Sequence, residues 1–134
     1  DFQEWLPQPA LLDKVVVEGV SLGAVLRTLN GRLSRLLGPD RQLGHAHFWS
    51  LKDSPTLAEL RRVFQQRVIP QLQEYFFGDL RRVGLVLGRA FVAKAATPIA
   101  LADFDGDDEE AEDEVYRLVP VETLGIAAFG TLQP

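Results

Sequence analysis

The chain contains no cysteine. That absence removes a disulfide framework, a thiolate metal site and a cysteine nucleophile, and it fits an intracellular, cytoplasmic setting. No apolar run approaches the roughly 18 residues that would cross a bilayer, so no membrane contact is expected. No basic-then-apolar leader opens the sequence. Phosphate-binding machinery is missing too. There is no G-x-x-x-x-G-K-[ST] segment, so no glycine-rich loop can cradle phosphates and no lysine is placed to reach them. Neither a G-x-S-x-G elbow nor an H-E-x-x-H pair occurs. Glu74 and Asp79 lie close together, but carboxylates at that spacing are commonplace and mark no catalytic pair. The chain alone is therefore not expected to be an enzyme, and no catalytic residue is assigned.

What is present suits one globular domain: 134 residues, 46% of them hydrophobic and 25% charged. The net charge of −5 hides an asymmetry. Residues 1–100 hold thirteen Lys/Arg against nine Asp/Glu, a net of +4; residues 101–134 hold one against ten, a net of −9. A mildly basic body thus carries a strongly acidic tail. The sequence opens on Asp1 in mid-pattern, and it is expected to be a piece of a longer protein.

Residues 1–20 have two prolines and little periodicity, the pattern of a packed connector, with Val15 to Val17 either a short strand or the last turn of a helix. From Ser21, a plausible N-cap, Leu22, Val25, Leu26, Leu29, Leu33, Leu36 and Leu37 recur at helical spacing, until Gly38-Pro39 stops them. A second helix starts near Thr56, whose spacing to Glu59 predicts a capping box. Pro70 should kink it or begin a new one. Gly78-Asp79 breaks the pattern, and one further short helix ends at Gly88. "RAFVAKA" and "VYRLV" look like strands, "ETLGIAAFGTL" is ambiguous, and an acidic loop over residues 103–114 lies between the strands. The expected fold is mainly α, with three to four helices over residues 21–88 and a small β-containing appendage over 89–134.

The densest cluster of functional side chains is "GPDRQLGHAHFW", Gly38 to Trp49. As a connector, it would plug the core with Phe48 and Trp49, hydrogen-bond a histidine to backbone and pair Arg41 with Asp40. A His45/His47 zinc site lacks a third ligand at any demanded spacing, so no metal is assigned. Arg61-Arg62 and Arg81-Arg82 read either as solvated faces or as subunit or nucleic-acid contacts. The acidic run fits an EF-hand poorly, since counting from Asp103 puts Gly106 in the wrong place.

Leu29-Asn30, Gly44 to Phe48, Ile69 to Phe77 with Asp79, and Leu87-Gly88 together resemble, in order and spacing, the C-terminal end of the McrB family. These are the AAA+ GTPase subunits of modified-cytosine-dependent restriction systems. The loop departs from the family's pattern, reading His45-Ala46-His47-Phe48 where the family often has His-Ser-Tyr-Phe. The resemblance implies an AAA+ small helical lid, packed over GTP or ATP with Mg that an upstream α/β subdomain, absent here, holds. It implies further partners: neighbouring subunits of a homo-oligomeric ring, an endonuclease subunit, and DNA through the parent protein. On that footing His45 and Arg41 are the nucleotide-facing residues. Gly44 lets backbone approach closely, an imidazole that ionises near neutral pH would make its contact pH-sensitive, and a guanidinium fork suits phosphate oxygens. No cofactor is expected for the chain alone. The alternative is a freestanding interaction module whose acidic tail docks on a basic partner.

Overall fold

The apolar stripe that opens at Ser21 becomes helix α1 (Leu22–Leu37) in the computed structural model, which describes residues 8–95, 102 and 115–134. The Ser21 hydroxyl accepts from the Ala24 N–H at 3.3 Å, and Gly38, at φ 90°, ends the helix. Leu22, Val25, Leu26, Leu29 and Leu33 are buried, so one face of α1 is the floor of the core. The acidic run from Asp103 to Glu114, and with it the calcium question, lies outside the described residues.

Ahead of α1, strands β1 (Val16–Val17) and β2 (Val20–Ser21) form a two-residue hairpin. Glu18 and Gly19 both take positive φ (45° and 88°), as the tight turn of a twisted hairpin requires. A 3-10 turn at Pro9–Leu12 packs on the start of α1, where Gly23 makes room. A Cβ there would overlap Asp13 Oδ1 and crowd the Pro9 carbonyl. Asp13 itself accepts two hydrogen bonds from Arg27, at 2.7 and 3.0 Å.

Helix α2 (Leu57–Val63) runs into a π-helical stretch at Phe64–Val68 and then α3 (Ile69–Tyr75). The expected interruption at Pro70 takes this form. Proline has no N–H to give and its ring presses on the carbonyl four residues back, and the wider turn just before it absorbs both. The capping box is only half built: Thr56 Oγ1 accepts from the Glu59 N–H at 3.1 Å, but the Glu59 carboxylate turns to Arg62. A charged partner outcompetes a backbone amide there.

Helix α3 ends in a six-to-one bond, Gly78 N–H to Gln73 O at 2.8 Å, with Phe77 N–H on Glu74 O at 3.3 Å. This is a Schellman turn whose left-handed position is held by Phe77, φ 52°, rather than by the usual glycine. Asp79 Oδ1 then caps α4 (Leu80–Leu87) by accepting from the Arg81 and Arg82 N–H groups. Arg32 donates to the Val86 carbonyl at 2.6 Å and so ties α1 to the end of α4.

Strands β3 (Val92–Ala95) and β4 (Val115–Leu118) pair antiparallel in register Val92 with Leu118 and Ala95 with Val115. They are the small β appendage of a mainly helical fold. Gly84 brings α4 close to this hairpin, since a Cβ there would lie 3.3 Å from that of Val92. The ambiguous stretch after β4 resolves into a 3-10 turn at Val121–Thr123 and helix α5 (Ile126–Gly130). It returns to the core. Phe129 meets Phe64 (5.0 Å between centroids) and Phe91 (5.4 Å) edge to face, while Phe64 also touches Phe48 at 6.1 Å. Arg61 Nε donates to Leu124 O at 2.8 Å, and Gln133 Oε1 accepts from the Ser21 N–H at 3.0 Å. Among the described residues, no helix is long and apolar enough to cross a membrane.

Candidate functional site

The Gly38–Trp49 segment hangs from one polar side chain inside the apolar stripe of α1. Asn30, 6% exposed, grips Leu43 from both sides: Nδ2 donates to the Leu43 carbonyl at 2.9 Å and Oδ1 accepts from its N–H at 2.6 Å. The carboxamide does for Leu43 what a neighbouring strand would do, and both buried backbone groups are satisfied. Gln42 adds a bond to Ser34 Oγ at 2.7 Å, and its carbonyl accepts from the Tyr75 hydroxyl at 3.1 Å. Burial raises the Tyr75 pKa, which keeps that hydroxyl a donor. The loop is therefore fixed to α1 and α3 together. Sequence reasoning expected a Tyr75–Phe77 cluster to make the lid rigid; Tyr75 and Phe76 pack inward, but Phe77 is 94% exposed and packs on nothing in the core among the described residues. It gave Asn30 no role here. The clue was an amide at a position flanked by Leu26, Leu29 and Leu33, where a leucine would otherwise sit.

Beyond Leu43 the chain forms 3-10 turns at His45–Lys52. Three residues per turn put Phe48 and Leu51 on the buried side and Trp49 and Lys52 on the outer one. Phe48 fills the core as expected, whereas Trp49 does not. Its ring is 45% exposed, with the Lys52 ammonium 3.9 Å from its centroid.

Half-buried His45 accepts the Gln8 N–H at Nδ1 (3.3 Å) and stands edge-on to Trp49 at 5.8 Å. An accepting Nδ1 puts the proton of the neutral ring on Nε2, which then becomes a donor. Exposed Arg41 forms no ion pair with Asp40 among the described residues; its guanidinium carbon lies 5.9 Å from the Tyr75 ring centroid. The two candidates thus sit against different neighbours, His45 beside the N-terminal segment and Arg41 beside α3. His47, which the sequence did not single out for binding, has a buried Nδ1 without a hydrogen-bond partner. Burial, and secondarily Arg67, lowers its pKa. Among the described residues no group of three His, Asp or Glu side chains could hold a metal ion.

Most of the arginine pairs are committed inside the molecule. Arg61 holds the Leu124 carbonyl, and Arg62 is bound to Glu59, whose carboxyl is pulled down to about 2 by Arg62 and Ser50. Arg82 lies over the Phe76 ring at 5.3 Å. Only Arg81 is left exposed, so these pairs do not form a cationic track for phosphates.

Residues 21–84 match the family model described as McrB, alpha-helical lid domain. This region is an McrB-type lid. The matched span runs from the N-cap of α1 to Gly84 within α4, and so contains the Asn30 clamp and the whole loop that it holds. No curated protein matches the chain. The match covers just under half of the chain and likens this region, and no more of it, to the McrB lid.

The half-buried His47 imidazole should give the lid a pH dependence. With its folded-state pKa depressed, His47 favours folding fully above the unfolded value of about 6.5 and loses that contribution as pH falls below it. Melting temperature should therefore decline from pH 7 to pH 5, and His47→Gln should flatten the decline. Glu59 protonates far lower, so its loss does not fall in this window. Equal slopes for the two proteins would remove His47 as the cause.

Proposed function

We propose that residues 21–88 are the nucleotide-covering lid of an McrB-like AAA+ NTPase, and that the phosphate-binding loop and hydrolytic groups lie in an α/β subdomain upstream. The observation that carries this reading is the match of residues 21–84 to the McrB lid. On this reading the chain does not hold nucleotide and magnesium by itself. The sequence has no phosphate-cradling glycine loop, and among the described residues no set of three ligands is grouped for a metal. What the lid can contribute is contact and movement. The loop is braced on α1 and α3 and so moves with them as a rigid body. His45 would offer its Nε2–H to a base or phosphate, and Arg41 its guanidinium to phosphate oxygens. The parent would assemble as a homo-oligomeric ring and drive a DNA-cleaving partner, with lid rotation passing the nucleotide state to the next subunit.

The test is steady-state hydrolysis of GTP and of ATP, with magnesium, by the parent polypeptide. The 134-residue chain alone should show no turnover above buffer. In the parent, His45→Ala should raise KM about tenfold, the loss of one contact of about 1.4 kcal/mol, with kcat nearly unchanged. A parent that hydrolyses neither nucleotide would favour the freestanding interaction module. Hydrolysis indifferent to both His45→Ala and Arg41→Ala would remove these residues from the nucleotide.

A further inference from the structure

Asn30 is the one asparagine of the chain, and the residue that follows it is Gly31. Nothing among the described residues accounts for that glycine. It lies exposed well inside α1, its φ is not left-handed, and an added Cβ would meet no described neighbour within 4 Å. Alanine would fit and would favour the helix, since a glycine in a helix interior weakens it. What glycine alone provides is a backbone nitrogen with no Cβ to shield it. In a non-helical chain that nitrogen can reach Cγ, the side-chain carbonyl carbon of the preceding asparagine.

The folded helix keeps the two atoms apart. Helical backbone turns the Gly31 nitrogen away from Cγ and commits its N–H to the hydrogen-bond ladder. Asn30 is 6% exposed, and its carboxamide is committed to Leu43, donating at 2.9 Å and accepting at 2.6 Å. Reaction therefore waits for α1 to open, and the residue at stake is the brace of the Gly38–Trp49 loop.

We propose that Asn30–Gly31 is a deamidation site gated by the opening of α1, through which a lid that opens loses its loop clamp irreversibly. The Gly31 nitrogen forms a bond to Cγ, and the Cγ–Nδ2 bond breaks. Nδ2 leaves as ammonia, taking up the proton that the Gly31 nitrogen releases. Water then opens the resulting succinimide ring at one of its two carbonyls, giving aspartate or isoaspartate with no change of oxidation state. Neither product can rebuild the clamp. A carboxylate has no N–H for the Leu43 carbonyl and would place a charge in the apolar face of α1. Isoaspartate also adds one carbon to the main chain and so interrupts the helical ladder. The site rests on the fold alone; its effect on nucleotide, through His45 and Arg41, rests on the lid reading above.

Mass spectrometry of the 134-residue chain, held in mildly alkaline buffer with and without concentrated urea, tests this. With a single asparagine, the change from amide to acid is read on the tryptic peptide of residues 28–32. In urea the peptide should convert, at a rate that Gly31→Ala lowers severalfold. Without urea, conversion should be at least about a hundredfold slower, because small domains favour the folded state by about 10³ or more. Gly31→Ala should also melt roughly 3–5 °C higher. Protein aged in urea and then refolded should exchange its Leu43 amide faster than fresh protein, and Asn30→Asp should match it. If Asn30→Asp does not fold, the comparison of aged with fresh wild type decides. A native rate within a hundredfold of the urea rate, a Gly31→Ala chain that converts as fast as wild type, or aged protein with undiminished protection at Leu43 would each overturn the proposal. A parent enzyme whose KM ignores both His45 and Arg41 would sink the nucleotide reading and leave this site standing.

Discussion

Phe129→Ala should lower the unfolding free energy by about 3–5 kcal/mol, the range for truncating a buried phenylalanine. Phe129 is fully buried and lies against both Phe64 and Phe91, so the truncation would open a cavity between the π-helical stretch of the second helix and the start of the β3 hairpin. Domains of this size are typically stable by roughly 5–15 kcal/mol, so the variant should be close to unfolding at room temperature. Urea denaturation would read this as a fall in midpoint with little change in slope. The result matters because Phe129 lies outside the span that matches the McrB lid. If the last 16 residues, 119–134, were a detachable tail, Phe129→Ala would leave the midpoint where it is.

Asn30→Ala should cost about 2–4 kcal/mol, because the Leu43 N–H and carbonyl would both be stranded in the interior, at about 1–3 kcal/mol each with partial relief. The effect should be local as well as global. Hydrogen exchange at the Leu43 amide should accelerate far more than at α4, whose ends are held by Asp79 and Arg32. In the parent protein the same substitution should raise KM for nucleotide, since the loop that carries Arg41 and His45 would lose its brace to α1. An unchanged Leu43 exchange rate would mean that the loop is held by something other than this clamp.

Much of the helical framework was legible because it rests on periodicity and local chemistry. The leucine stripe of α1, the caps at Ser21 and Thr56 and the stops at Gly38 and Gly88 are local events that survive folding unchanged, whereas Asp79, which caps α4, read only as a break. The candidate site was less legible, for three physical reasons. Trp49 falls on the outer side because a 3-10 turn, rather than an α-turn, follows Gly44, and hydrophobicity alone does not separate the two. Asn30 looks like a weak helix residue until its partner, thirteen positions away, is known. Phe129 belongs to a short segment with no clear period, and only its long-range meeting with Phe64 and Phe91 gives it a place. The arginine pairs show the reverse: two pairs of adjacent cations suggested a charged surface, yet carbonyl, carboxylate and ring partners take three of the four.

The central claim is that this lid covers a nucleotide held by another part of the same polypeptide. The most direct measurement is the in-frame coding sequence of the native gene ahead of Asp1. The account predicts a G-x-x-x-x-G-K-[ST] loop there, followed by an acidic strand to hold magnesium. A start codon immediately beside Asp1 would contradict it.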